Sequence, residues 1–167
     1  EKYAAAGPGA AYVAHALDAH ADVADARAVR PVAGTVRVFV KSQSGIGVPS
    51  AAVLAAVQNY LSGEERRPLC DTVEVRAGSA KSIAISYKTT FEDGPDKALV
   101  AAQQRADLEA VLAEHRGLGV KLALSKIIGA LDVVGAQKVE LQSPTADIVC
   151  ADGEFIRVTA ITATEAV

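Results

Sequence analysis

Ser44-Gly45-Ile46-Gly47 lies between a strand-like run and a helix-like run, the setting in which glycine loops present backbone N–H groups to phosphate. It lacks the Lys-Ser/Thr of a phosphate-binding loop and the third glycine of a dinucleotide fingerprint, and Pro49 and Ser50 separate it from the helix. An ordinary loop is the expectation. His15 and His20 are five positions apart, not on one helical face, and His115 closes a helix where partial positive charge suits the dipole. Cys70 and Cys150 have neither a CxxC spacing nor a nearby His, so they fit no zinc pattern and no disulfide scaffold and read as reduced thiols of a cytosolic setting. Asp93 and Asp96 bracket Gly94-Pro95 as turn and helix-start residues, and GxSxG, HExxH and Cys/His pairings are absent. The sequence therefore supports no catalytic residue, no metal ligand and no cofactor-binding residue.

The distinctive stretch is Glu64-Glu65-Arg66-Arg67-Pro68-Leu69-Cys70-Asp71. One reading is a solvated connector, in which Pro68 holds Arg67 extended and Arg67 pairs weakly with Asp71 at the surface. The other is an assembly contact, because the planar fork of Arg can pair bidentately with a partner carboxylate. Arg66, Arg67 and Asp71 are the candidate partner-interface residues on that second reading.

The elements that must position these residues follow from composition and pattern. The 167 residues set an expectation of about one domain, or one with a small appendage. There are 34 Ala, while Leu, Ile, Val and Phe total 44, enough for a packed core of mostly small side chains. No run approaches the roughly 18 apolar residues of a membrane helix, and no signal peptide is visible, so no membrane role is expected. Net charge −3 without a block of like charge argues against nucleic-acid binding. The chain begins Glu1-Lys2-Tyr3 and holds no Met, which reads as a trimmed piece of something longer.

Residues 1 to 22 read as an Ala-rich, partly mobile lead-in carrying a helix from about Ala10 to Asp18. Val23 to Arg30 and Thr35 to Val40 read as strands, and Ser50 caps a helix over Ala51 to Leu61. Asp71 to Arg76 and Ser82 to Phe91 alternate as strands; the Ala77-Gly78-Ser79-Ala80 stretch predicts a turn and hence a hairpin, with Val73 and Val75 sharing an interior with Ile83 and Ile85. A long helix is expected over Lys97 to His115, then a strand at Val120 to Leu124 and a helix capped by Ser125 with Ile127, Ile128, Leu131 and Val134 on one stripe, stopped by Gly135. Strands at Ala136 to Leu141 and Phe155 to Thr162 close the chain. The order predicts an α+β fold: a mixed sheet with helices packed on it, a ferredoxin-like β-α-β-β-α core followed by a β-α-β-β unit. Residues 23 to 167 form the main region, divisible at about 92/93 into two subdomains.

In order and spacing, one set of residues resembles the baseplate J-like proteins of contractile-tailed phages and related injection particles. The set runs through Gly34-Thr35-Val36-Arg37-Val38, Val48-Pro49-Ser50, Arg67-Pro68-Leu69-Cys70-Asp71-Thr72-Val73-Glu74-Val75, Gly94-Pro95-Asp96, Gly119-Val120, Ser125, Gly135-Ala136, Ser143-Pro144 and Asp152-Gly153-Glu154-Phe155. It covers roughly residues 23 to 162. The family usually has Thr where Cys70 stands and often Val where Ala136 stands. The resemblance implies the C-terminal half of a protein about twice as long and no known catalytic role. It further implies a structural place among the wedge subunits around the baseplate hub, in a virion tail made in the bacterial host cytoplasm. Its partners would be other baseplate wedge and hub proteins, with homo-oligomers allowed, and no nucleic acid or membrane. A small ferredoxin-like binding module, or an enzyme domain of unknown ligand, is the alternative; it would need a polar cluster lining a pocket.

Overall fold

Alternating valines dictate the first sheet. In the computed structural model, which describes residues 7 to 63 and 72 to 166, Val38 and Val40 of β2 (Thr35–Ser42) are fully buried while their neighbours face outward. β1 (Val23–Val32) folds back on β2 as an antiparallel hairpin through Ala33-Gly34. Helix α2 (Ala51–Leu61) then crosses over to β3 (Thr72–Ala77), which runs parallel to β2 with Val36 opposite Val73 and Val38 opposite Val75. Ser50 caps α2, its side chain accepting from the Val53 N–H, and Val57 and Leu61 fill the core beneath. The Ala-rich start is a packed element in its described part: α1 (Gly7–Ala19) puts Tyr12, 2% exposed, and Ala16 into the same core.

The second sheet has the order β6-β4-β8. Its centre is β4 (Ser79–Phe91), antiparallel to β6 (Ala136–Ser143) and parallel to β8 (Glu154–Glu165). Ile85 and Tyr87 of β4 meet Leu108 and Leu112 of α3 (Lys97–Glu114) and Ile127 and Leu131 of α4 (Leu124–Leu131) in a second core. A short ladder of β5 (Lys121–Leu122) with β7 (Ile148–Val149) closes one end.

The α+β class holds, with both three-stranded sheets mixed. The hairpin of β3 with β4 is not formed: β3 pairs with β2 and β4 pairs with β6 and β8, so the ferredoxin-like element order is divided between two sheets. Val73 accordingly lies in the first core and Ile85 in the second. The supposed turn is a single-residue break at Gly78, across which the chain passes from one sheet to the other. Period-two alternation fixes which face of a strand is buried but carries no information about its neighbour. The fourth helix also departs from expectation. Ser125 lies inside α4 and Ala123 precedes it without a side-chain cap; instead the Leu124 N–H donates to the Asp147 carboxylate at 2.9 Å. Helix α4 ends at Leu131, so Val134 leaves the stripe and is 97% exposed.

Candidate interaction surface

Arg66, Arg67 and Asp71, the residues singled out by sequence, lie outside the described residues, as does Cys70. Their described flanks are Ser62, the C-cap of α2, and Thr72, whose N–H donates to the Gly34 carbonyl at 2.7 Å. Both described flanks therefore belong to the first unit, and Thr72 lies beside the β1–β2 turn.

The remaining chemical candidates are dispersed. In the Ser44–Gly47 loop the Asp22 carboxylate accepts from the Ser44 N–H at 3.1 Å and from the Ser42 and Ser44 hydroxyls, which hold its carboxyl below the usual range. A fixed anion thus already uses the amide that a phosphate would need. His20 Nδ1 accepts from the Asp22 N–H, His115 Nδ1 lies 2.7 Å from the Val111 carbonyl, and His15 lies near the Tyr60 ring. Among the described residues no three His, Cys, Asp or Glu converge as metal ligands. Burial pushes the Cys150 thiol up, away from the thiolate a nucleophile requires. Asp96 caps α3 by accepting from the Ala98 N–H at 2.8 Å.

What the fold does assemble is a junction between the two sheets. The Asp25 carboxylate of β1 accepts from the Leu118 N–H at 2.7 Å, and Arg27 pairs with Asp152 at 2.8 Å. The Lys41 ammonium lies 5.0 Å from the centre of the Phe155 ring and donates to the Arg116 carbonyl. Burial pushes that ammonium's pKa down, Asp25 opposes the shift and Arg116 adds to it. Gly47 is required here: its φ of +89° suits glycine, and a Cβ would come within 2.9 Å of the Phe155 ring. Alongside this junction runs an open groove of about 1050 Å³, bounded by the Lys41–Gly47 loop, by α3 and by β8. Asp25, Arg27 and Lys41 carried no signal in the sequence, because their partners lie between 75 and 125 positions away.

Residues 4–77 match the family model described as the baseplate J-like central domain, and residues 83–164 match the baseplate J-like protein C-terminal domain. The chain belongs to the baseplate J-like family. The two baseplate J-like segments divide between Ala77 and Ile83, and the chain changes sheets at Gly78. Baseplate protein J of Escherichia phage P2 is 36% identical over 149 residues, which span 89% of this chain and 49% of that protein. The baseplate J-like chain thus spans about half the length of this curated relative. A chain in the cryo-EM structure of the anti-feeding prophage baseplate, 6-fold symmetrised, shares its fold with a TM-score of 0.60 at 12% identity, covering 88% of this chain and 36% of that one.

Proposed function

We propose that this chain is a structural part of a contractile-tail baseplate, a wedge component that works through protein contacts and not through turnover. The observation that carries the reading is the match of both halves, in order, to the baseplate J-like central and C-terminal domains, supported by the relative named baseplate protein J. The dispersal of its histidines and carboxylates is consistent with a structural role. On this reading the protein resides in the virion tail and meets other wedge and hub proteins. Its two units, joined at Gly78, act as a two-part connector, and Arg66 and Arg67, with Asp71, offer contacts from the segment between α2 and β3.

Deleting the gene from its phage or prophage and imaging the particles by electron microscopy tests the role. Tails without baseplates or unassembled sheath are expected, and normal contractile tails would refute it. Replacing Arg66 and Arg67 by Ala in the full-length subunit should weaken co-purification with neighbouring baseplate subunits while leaving the far-ultraviolet circular dichroism unchanged. Unchanged co-purification would remove those arginines from the interface.

A further inference from the structure

We propose that the outer edge of β8 receives an extended, acidic segment of a different protein as an added strand, laid in the groove beside α3. The inference rests on the baseplate reading above and names the chemistry of one contact within it. In the order β6-β4-β8, β8 has a neighbour on one side only. Its first residues are closed on the other side by a bridge of Leu118 to Phe155 and by the Gly119 N–H, which donates to the Glu154 carbonyl at 2.8 Å. From Arg157 onward the outer backbone groups meet no partner among the described residues.

The other edges are guarded. On β3 the side chain of Gln58 imitates a strand, with Nε2 donating to the Val73 carbonyl at 3.0 Å and Oε1 accepting from the Val75 N–H at 2.8 Å. Edge strand β1 carries Arg27, Arg30 and Pro31, and β6 carries Lys138 and Glu140 and runs into Pro144. Charges and prolines of this kind stop strands from adding. β8 carries Glu154, Arg157 and Glu165 and a bulge at Thr159, but between the bulge and Glu165 the run Ala160-Ile161-Thr162-Ala163-Thr164 holds no charge and no proline.

The groove over this edge also has a sign. Arg105, Glu109 and Leu112 recur at spacings of four and three on one stripe of α3 and, with Arg116 just past the helix end, line the groove opposite β8. Four cationic side chains, Lys41, Arg105, Arg116 and Arg157, line it against two carboxylates, Asp25 and Glu109, in a chain whose net charge is −3. Both carboxylates are engaged, Glu109 by Arg105 at 2.5 Å and Asp25 by the Leu118 N–H. The side chains of Arg116 and Arg157 have no ion pair among the described residues. An incoming strand would gain main-chain hydrogen bonds from the β8 edge and place carboxylates against these two arginines. A second copy docking edge to edge would bring two cationic grooves together, so a distinct acidic segment is the better complement.

The test places a photo-crosslinking amino acid at Thr162 of the full-length subunit in purified, assembled particles, with the linked peptide read by mass spectrometry. The expected product joins position 162 to a peptide of net negative charge from a different subunit. Its yield should fall about tenfold in the Arg116→Glu, Arg157→Glu double variant, with circular dichroism confirming an intact fold. Particles that contain the subunit yet give no product, or a product with a basic segment or a second copy, overturn the inference and leave the baseplate reading standing. An undiminished yield in the folded double variant overturns it too. Particles that lack the subunit altogether refute the baseplate reading and this inference with it.

Discussion

The Asp25 carboxylate accepts a hydrogen bond from the Leu118 N–H, 93 positions away, and so ties the first strand of one sheet to the loop that follows α3 above the other. The same aspartate's second oxygen accepts from the Ala26 N–H at 2.9 Å, which fixes the rotamer. Replacing Asp25 by Ala leaves the half-buried Leu118 N–H without its acceptor. A hydrogen bond to a charged group is worth about 1.5–3 kcal/mol, so Asp25→Ala should lower unfolding stability by roughly that amount. Urea denaturation checks it; a loss well under 0.5 kcal/mol would mean that water replaces the carboxylate without cost.

Gln104 is 1% exposed, and its amide closes a chain across the second core. Its Nε2 donates to the Leu131 carbonyl at 2.6 Å, satisfying an end group of α4, and its Oε1 accepts from the buried Thr89 hydroxyl at 3.2 Å. Gln104→Leu matches the shape but strands both partners, and about 1–3 kcal/mol of destabilisation is expected for each buried group left unsatisfied. Combining it with Thr89→Val should cost less than the sum of the two single changes, because the double variant removes both members of one bond. Additive losses in thermal unfolding would show that the two side chains do not act as a pair.

The Asp22 carboxyl sets an acid limit on the loop from Ser42 to Gly47. Hydrogen bonds from Ser42 and Ser44 hold its pKa below the usual value in the folded chain. A group whose folded pKa is depressed contributes stability above the unfolded pKa and loses it as pH falls through the folded one. Asp22→Asn should therefore be less stable than the parent at neutral pH, with the difference shrinking below about pH 4. Denaturant midpoints between pH 2 and 7 provide the measurement; a difference that is flat with pH would remove the carboxylate's charge from the account.

Much of the fold was legible because its local rules are local. The valines of β2, the Ser50 cap and the Asp96 start of α3 each depend on neighbours within four positions, and each is found where the pattern put it. Pairing was not legible in the same way. Val73 and Ile83 show the same alternation, yet a single glycine sends them to different cores. The α4 cap illustrates the same point: Ser125 has the right chemistry two positions past the N-cap, and the carboxylate that meets the helix start comes from Asp147, across 23 positions. The junction surface was invisible for this reason as well. Asp25 and Lys41 have unremarkable sequence surroundings, and only the folded chain brings them to Leu118 and Phe155.

Gly78 is the single residue between the strands of the two sheets, and its lack of a side chain is a packing requirement. Its N–H donates to the Val40 carbonyl at 2.7 Å and the next N–H, of Ser79, donates to the Gly153 carbonyl at 2.8 Å, so successive amides bind the first sheet and then the turn before β8. A Cβ at position 78 would stand 3.0 Å from the Val40 oxygen and 2.9 Å from the Leu118 side chain. The leucine methyl can rotate away, but the carbonyl belongs to a fully buried strand residue and cannot move without disturbing β2. Gly78→Ala should cost about 1–3 kcal/mol, the range for overpacking a close contact, and a bulkier Gly78→Val should cost more. Because the displaced atoms belong to both sides of the junction, hydrogen exchange should accelerate at amides of β2 and of β8 together. Faster exchange confined to one sheet would mean that Gly78 serves as a linker alone, and an alanine variant as stable as the parent would show that the chain can open here without strain.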